Sequence, residues 1–248
     1  MNYLVFGDSH SMYFNINESM RQLNSNLRGV NSYVKALNGS TISGFGKRNS
    51  TLKSHDVLLD FASQIKLDYL CFALGQVDIE LGYYYRVFVK KESLNIAGFI
   101  DGLIDNYFDQ IDTFIDVLKL SPERVIIKGI NPSVLTLDRG LAIRYTKGII
   151  TENVEDQDDI NDCLNEMKSK FPSNIERNKN HFMFNEKLKE MSAIKGYKYF
   201  DIVDEVYNYN SSSLSSEFIP STFDHHLTDS IFVRMIHVNK LLDAAFTI

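Results

Sequence analysis

Three residues near the two ends of the chain have the side chains of a serine hydrolase. Ser9 follows the apolar run 3–6, and Asp224 and His226 stand close together near the C-terminus. A histidine can take the proton of a serine hydroxyl, and a carboxylate beside the histidine fixes its tautomer and stabilises the imidazolium. These residue types predict nucleophilic catalysis, with Ser9 as nucleophile, His226 as general base and Asp224 as the acid that orients it.

Each of these residues also has an ordinary structural interpretation. Ser9 or Asp8 can cap the helix predicted after the first strand, and the adjacent His225 and His226 fit a polar surface loop. The position of Ser9 between a strand and a helix favours chemistry, because free backbone N–H groups and the helix dipole stabilise an anion there.

Short apolar runs that alternate with helical patterns predict the fold. Five such runs predict strands, at residues 3–6, 34–37, 69–74, 125–130 and 198–203. Apolar residues recur at helical spacing in five segments, at residues 11–27, 57–65, 99–118, 182–194 and 229–245. Continuous apolar strands separated by helices are typical of a parallel sheet covered on both faces. We therefore predict an α/β fold, a three-layer α/β/α sandwich with a mainly parallel five-stranded sheet.

The sequence predicts one domain. Its 248 residues contain no internal repeat and no linker-like stretch, so we assign residues 1–248 to a single domain. Residues 133–180 carry little strand signal and are predicted to be a partly helical excursion from the core. An acidic patch at residues 155–159 could be a cation site, although a solvated face is the simpler interpretation.

Polar side chains follow the third and fourth predicted strands, at the edge where parallel sheets bind ligands. Gln76 and Asp78 follow the third strand, and Asn131 follows the fourth. We predict that Asp78 and Asn131 contact the substrate. Tyr84 and Arg86 come shortly after the third strand, and we predict the same role for them. A tyrosine can stack on a sugar ring and an arginine can clamp an anionic group, although ordinary packing is the alternative.

Four short motifs resemble, in the same order, the sequence blocks of the SGNH/GDSL hydrolase superfamily. They are Gly7-Asp8-Ser9-His10, Ser43-Gly44, Gly75-Gln76-Val77-Asp78 and Asp224-His225-His226-Leu227. The resemblance implies that Ser9 is the nucleophile and that the backbone N–H groups of Ser9 and Gly44 hold the oxyanion. It also implies that the substrates are small esters, often O-acetyl groups on carbohydrate.

Two positions depart from that pattern. Val77 stands where the third block has an asparagine whose amide helps to hold the oxyanion, and valine cannot donate a hydrogen bond. Gln76 could supply the amide instead, although adjacent residues of a strand point in opposite directions. The loss of one such donor raises the barrier by about 3 kcal/mol. Asp224 precedes His226 by two residues rather than three, so a shift of the loop must join them; the alternative is a Ser9–His226 dyad supported by a backbone carbonyl.

The composition restricts the partners and cofactors. A net charge of −6, with scattered basic residues, argues against nucleic acid or an anionic membrane surface as a partner. The two cysteines belong to no Cys-x-x-Cys or Cys/His cluster, which predicts reduced thiols and no cysteine metal site. No pattern indicates a metal or an organic cofactor. The N-terminus lacks a signal-peptide pattern and no apolar stretch is long enough to span a bilayer, so we expect a cytoplasmic protein.

The predicted function is a serine-dependent esterase that acts through an acyl-enzyme on a small-molecule or carbohydrate ester. One alternative is an O-acyltransferase of cytoplasmic polysaccharide assembly, which the expected location fits. The other is a non-catalytic SGNH-like binding module, favoured by Val77 and by the irregular spacing of Asp224 and His226.

Overall fold

Five parallel strands form the centre of the protein, in a computed structural model that describes residues 1–45, 47, 50–135 and 138–246. The strands are β1 (Asn2–Gly7), β2 (Asn31–Ala36), β3 (Tyr69–Ala73), β4 (Val125–Lys128) and β5 (Lys198–Phe200). Their order in the sheet is β2-β1-β3-β4-β5, and every neighbouring pair is parallel. The predicted parallel five-stranded sheet is confirmed.

Helices cover both faces of this sheet. They are α1 (Glu18–Leu23), α2 (Ser54–Ser63), α3 (Ile96–Leu118), α4 (Arg139–Ile150), α5 (Gln157–Lys170), α6 (Asn174–Lys195), α7 (Val203–Val206) and α8 (Ile231–Phe246). A short antiparallel pair, β6 (Tyr207–Asn208) and β7 (Ser213–Leu214), lies outside the sheet. None of the described helices combines the length and the apolar character needed to cross a bilayer.

The alternation of side chains along the strands explains the three layers. Successive strand residues point to opposite faces of a sheet. In β1, Leu4 and Phe6 pack with residues of α2, α3 and α6, whereas Tyr3 and Val5 pack with residues of α1 and α8. Both faces are buried, which is why the strands are apolar throughout and why the predicted three-layer sandwich is confirmed.

The predicted excursion contains α4, α5 and the first turns of α6. Helices α4 and α5 pack against two π-helical turns that follow β3, Asp78–Gly82 and Tyr85–Val89. The contact is an apolar cluster separate from the two faces of the sheet, formed by Val77, Leu81, Tyr84, Phe88, Leu135, Ala142, Ile143, Ile150, Cys163, Met167 and Phe171. This cluster fixes α4 beside the end of β3.

Asparagines divide the segment 11–27, for which one helix is predicted. The structure has a 3₁₀ turn at Ser9–Phe14, then α1, then a second 3₁₀ turn. The side chain of Asn17 accepts a backbone hydrogen bond that begins α1, and that of Asn24 accepts one just after α1 ends. Asparagine side chains compete with helical backbone hydrogen bonds, so the single long helix is wrong.

Other boundaries move for similar local reasons. Helix α6 begins at Asn174 rather than at 182, because Ser173 and Glu176 form a capping box there. Strand β5 ends at Phe200 rather than at 203, because the side chain of Asp201 accepts from a backbone N–H at the start of α7.

Candidate active site

Ser9 lies directly beyond the end of β1, at the first position of the 3₁₀ turn Ser9–Phe14. The side chain of Asp8 caps this turn by accepting from the N–H of His10. A Cβ atom at Gly7 would lie 2.1 Å from the backbone oxygen of Ala73 and 2.3 Å from Ser11 Oγ. Only glycine therefore allows β1 to approach β3 this closely, and this approach sets the place of Ser9.

Ser9, His226 and Asp224 form a chain of hydrogen bonds. Ser9 Oγ lies 2.7 Å from His226 Nε2, and His226 Nδ1 lies 3.0 Å from Asp224 Oδ1. The same Asp224 oxygen accepts from the Tyr145 hydroxyl at 3.0 Å and from the His225 N–H at 2.6 Å. The spacing of two residues between acid and base is therefore compatible with the contact. The arrangement can pass a proton from a serine hydroxyl to an imidazole.

The charges around this chain of bonds prepare His226 to accept a proton. Burial alone would raise the pKa of Asp224, but hydrogen bonds from His226, Tyr145 and the His225 N–H, with the charge of His226, lower it to about 2. Burial lowers the pKa of His226, the nearby His10 lowers it further, and Asp224 offsets this only in part. Asp224 is therefore ionised and His226 neutral near neutral pH.

Two backbone N–H groups are placed to hold an oxyanion. The N–H groups of Ser9 and Gly39 have no hydrogen-bond partner among the described residues, and both residues line the same cavity. The structure does not bring Gly44 to this cavity. The Gly44 N–H donates to the backbone oxygen of Thr41 at 3.1 Å and to its Oγ1 at 3.0 Å, and Gly44 lines a neighbouring cavity. The sequence signal for Gly39 is an Asn-Gly pair directly after β2, a typical turn.

The third block contributes no side-chain donor to the cavity. Gln76 is buried, and its amide makes two hydrogen bonds to the backbone of Asn131, at 2.7 and 3.2 Å. The structure therefore directs Gln76 to β4 and away from Ser9, because the amide joins the ends of two neighbouring strands. Val77 lines the cavity instead.

Asp78 and Asn131 support the backbone around the site and do not line the cavity. Asp78 accepts from the N–H groups of Ile42 and Ser43, at 2.8 and 3.5 Å, and so holds the loop after β2. Burial raises the pKa of Asp78 to about 7, against the effect of these donors. Asn131 receives a hydrogen bond from Lys128 on its side chain. Neither residue therefore lies where it could make the predicted contact with a substrate in the Ser9 cavity.

Tyr84 and Arg86 also point away from the cavity. Tyr84 is buried, with its ring centroid 4.7 Å from that of Phe171. Arg86 donates to Glu92 at 2.8 Å and lies over the ring of Phe99. Ordinary packing, the alternative for this pair, is what the structure has: Tyr84 packs inside the protein, and Arg86 is half-exposed and paired with Glu92.

The cavity in front of Ser9 measures about 560 Å³ and is mostly apolar. Its apolar lining consists of Val77, Leu81, Tyr85, Ile149, Ile150 and Val154. Its polar lining consists of Ser9, Asn38, Asn153, His225 and His226, with Gly39 and Gly82. Tyr85, rather than the predicted Tyr84, is the tyrosine that reaches this space.

A second histidine–carboxylate pair lies buried behind the cavity. His225 Nδ1 is 3.2 Å from Glu80 Oε2, and His181 Nε2 is 3.9 Å from Glu80 Oε1. Burial would raise the pKa of Glu80, but the contact with His225 and the charge of His181 hold it well below its ordinary value. Burial would lower the pKa of His225, but Glu80 outweighs this and raises it. Sequence reasoning missed Glu80, whose only signal is a charge among apolar residues after β3.

Three histidines stand close enough together to be considered as metal ligands. Within the described part of the chain, His10, His225 and His226 form one group whose ring nitrogens lie within 4.8 Å of one another. The rings of His10 and His226 are stacked, with centroids 4.3 Å apart and planes 20° apart. Both ring nitrogens of His226 are already in hydrogen-bond contact, with Ser9 and Asp224, so we assign no metal to this group.

Comparison with known proteins supports the fold. No protein-family model matches the sequence, and neither does any curated protein. The structure is similar to that of Est24, a carbohydrate acetylesterase from Sinorhizobium meliloti, with 14% identity, 99% of both chains covered and a TM-score of 0.55. It is also similar to a variant of Axe2, an acetylxylan esterase from Geobacillus stearothermophilus, with 12% identity, 100% of this chain and 94% of that chain covered, and a TM-score of 0.52. The acetyl xylan esterase AlAXEase matches with 12% identity, 98% and 99% coverage and a TM-score of 0.51.

These neighbours are esterases built on one fold. The chain therefore has the fold of the SGNH/GDSL-type acylhydrolases and acetylesterases, as the sequence resemblance predicts. At these identities the likeness concerns the fold.

Proposed function

We propose that the protein is an esterase that uses Ser9 as its nucleophile. The observation that carries the proposal is the pair of contacts of His226, 2.7 Å to Ser9 Oγ and 3.0 Å to Asp224 Oδ1. A serine, a neutral histidine and an ionised carboxylate in this order are the parts of a nucleophile activated by a general base. The similarity of the fold to esterases supports the same reaction class.

The acylation step follows from this geometry. Ser9 Oγ forms a bond to the ester carbonyl carbon while its proton passes to His226 Nε2. The carbonyl oxygen becomes an oxyanion, which faces the free N–H groups of Ser9 and Gly39. The tetrahedral intermediate then breaks its C–O bond to the alcohol, and the leaving oxygen takes the proton from His226. Asp224 stabilises the imidazolium throughout.

Deacylation repeats the same steps with water. The water gives a proton to His226 and attacks the acyl carbon, and Ser9 leaves with the proton that His226 returns. With Val77 in place of an asparagine, this position supplies no side-chain donor to the oxyanion, and the absent amide is worth about 3 kcal/mol in the transition state. We therefore expect slow turnover on unactivated esters.

The proteins with similar structures indicate a candidate class of substrate. Est24 and Axe2 are described as carbohydrate and xylan acetylesterases, and an O-acetylated carbohydrate is a candidate substrate here as well. An acyltransferase would use the same acyl-enzyme with an acceptor alcohol in place of water, and a product assay with a sugar acceptor separates the two. The continuous hydrogen-bond chain from Ser9 to Asp224 favours an enzyme over a non-catalytic binding module.

The test is covalent labelling and hydrolysis by wild-type protein and a Ser9→Ala variant. A fluorophosphonate probe should label the wild type at Ser9, and p-nitrophenyl butyrate should be hydrolysed. Ser9→Ala should lose the label and at least about 10⁴-fold in kcat. A Ser63→Ala variant, changed at an exposed serine of α2, is the matched control and should keep both. Full hydrolysis by Ser9→Ala would refute the serine mechanism.

A further inference from the structure

The cavity in front of Ser9 is larger and more apolar than an acetyl group requires. Its volume of about 560 Å³ is in the range of sites that enclose whole drug-sized ligands. Six apolar side chains line it, and the lining contributed by the described residues includes no lysine, arginine, aspartate or glutamate. A lining of this kind gains free energy by covering hydrocarbon rather than water.

The apolar wall comes from two packed elements. Val77 and Leu81 belong to the segment after β3, and Ile149 and Ile150 end helix α4. Leu81, Val77 and Ile150 are also members of the buried cluster between α4, α5 and this segment. The wall is therefore held by packing, and its shape exists before a ligand enters.

Some apolar side chains of this wall remain exposed. Ile149 is 38% exposed and Tyr85 37%, although both face the cavity beside the nucleophile. Apolar surface left open at a site is a mark of a ligand with an apolar part. The polar oxygens of a sugar would find few partners along it, since Asn38 and Asn153 are the side-chain amides that the described residues bring to the cavity.

We propose that this cavity binds the acyl chain of a medium-chain ester, of roughly six to ten carbons. The proposal rests on the proposed function, in which Ser9 carries the acyl group. The acyl chain stays attached to Ser9 through both half-reactions, whereas the alcohol leaves after the first. An apolar wall beside Ser9 therefore stabilises the acyl chain in both steps. Val77 extends this wall to the end of β3, where the third block begins.

The test is a series of p-nitrophenyl esters from acetate to decanoate, in which only the acyl group changes. Each buried methylene should raise kcat/KM by about fourfold until the cavity is filled. A second series keeps the acetyl group and lengthens the alcohol, and should change kcat/KM much less. A maximum at acetate, or a dependence on the alcohol alone, would overturn the proposal.

A matched pair of variants tests whether the wall is responsible. Ile149 and Leu141 lie on α4 with the same exposed fraction, 38%, but only Ile149 lines the cavity. Ile149→Asn should lower the ratio of kcat/KM for octanoate to that for acetate about tenfold. Leu141→Asn should leave this ratio unchanged. Equal changes in the two variants would contradict the assignment of the wall.

A binding measurement separates this proposal from the proposed function. Octanoate and acetate are titrated into the Ser9→Ala variant by calorimetry. Binding of octanoate but not of acetate supports the acyl cavity even where hydrolysis fails. If the wild type hydrolyses esters without a chain-length preference and the variant binds neither acid, the esterase stands and the acyl cavity is refuted.

Discussion

His226 and His225 are neighbours in the chain and each contacts a carboxylate, but their surroundings differ. The side chains of His226 and Asp224 are 19% and 41% exposed, and His226 also contacts Ser9. Those of His225 and Glu80 are 8% and 3% exposed. The ring of His10 lies against both histidines. Two histidine–carboxylate pairs therefore lie side by side, one partly exposed to solvent and one buried.

The two surroundings have opposite net effects on the pKa of the histidine. Burial and the nearby His10 lower the pKa of His226, which leaves it neutral and free to take a proton. Burial opposes charge on His225 as well, but the deeply buried Glu80 outweighs this and raises its pKa, which favours the charged form of this pair. The Asp224 carboxylate also accepts hydrogen bonds from the Tyr145 hydroxyl and the His225 N–H. Its charge is therefore divided among three partners and does not keep His226 protonated. The depth of the carboxylate thus distinguishes the proposed catalytic pair, His226 and Asp224, from the buried pair, His225 and Glu80.

The largest expected effect is that of His226→Ala. It removes the base, so kcat should fall by about 10⁴- to 10⁶-fold in steady-state hydrolysis of p-nitrophenyl butyrate. The control is His225→Ala, which removes a structural charge and should lower the melting temperature far more than kcat. Equal losses of kcat in two folded variants would remove the distinction between the histidines.

Asp224→Asn should lower kcat by about 10²- to 10⁴-fold, since a neutral amide does not stabilise the imidazolium. Asp224 raises the pKa of His226, so its removal should shift the midpoint of the pH profile of kcat/KM to lower pH. A midpoint that stays in place, or moves upward, would show that Asp224 is not the partner of the base.

Glu80→Gln should lower the free energy of unfolding by about 3 kcal/mol, because it leaves His225 without its buried counter-charge. Urea denaturation at pH 6 measures this loss. The kcat of the folded variant should stay within about tenfold of the wild type, since Glu80 has no contact with Ser9 or His226. A loss of kcat without a loss of stability would place Glu80 in the chemistry.

The smallest expected effect is that kcat/KM and the free energy of unfolding change with pH in opposite directions. The pKa of folded His226 lies below 6.5, so kcat/KM should be full at neutral pH and fall as pH drops through that pKa. The pKa of folded His225 lies above 6.5, so its stabilisation is fully present below 6.5 and is lost as pH rises through the folded value. Above neutral pH the urea midpoint should therefore decline while activity holds. Glu80→Gln should abolish this decline of the urea midpoint. If the variant shows the same decline, groups other than the Glu80–His225 pair cause it.

The fold could be predicted from the sequence, and candidate reacting residues could be named, because their signals are local. Continuous apolar strands indicate a buried parallel sheet, and Ser9 and His226 stand in recognisable motifs. The assignment of Gly44 failed because several glycines follow β2 in the sequence, Gly39 and Gly44 among them. Which of them reaches Ser9 depends on Asp78, whose carboxylate holds the loop from the next strand but one. Glu80 was missed since its partner is far away in the chain, and only tertiary packing shows that its charge is buried.

One hydrogen bond joins the selection of the substrate to the rate of the reaction. Helix α4 carries Tyr145, whose hydroxyl donates to the proposed acid Asp224, and one turn later Ile149, which lines the cavity. A sequence change that tilts or shifts α4 to admit a different chain also moves the hydroxyl from Asp224. Divergent relatives that acquire new substrates through this helix should therefore first become slow, and regain speed only through compensating changes near Tyr145.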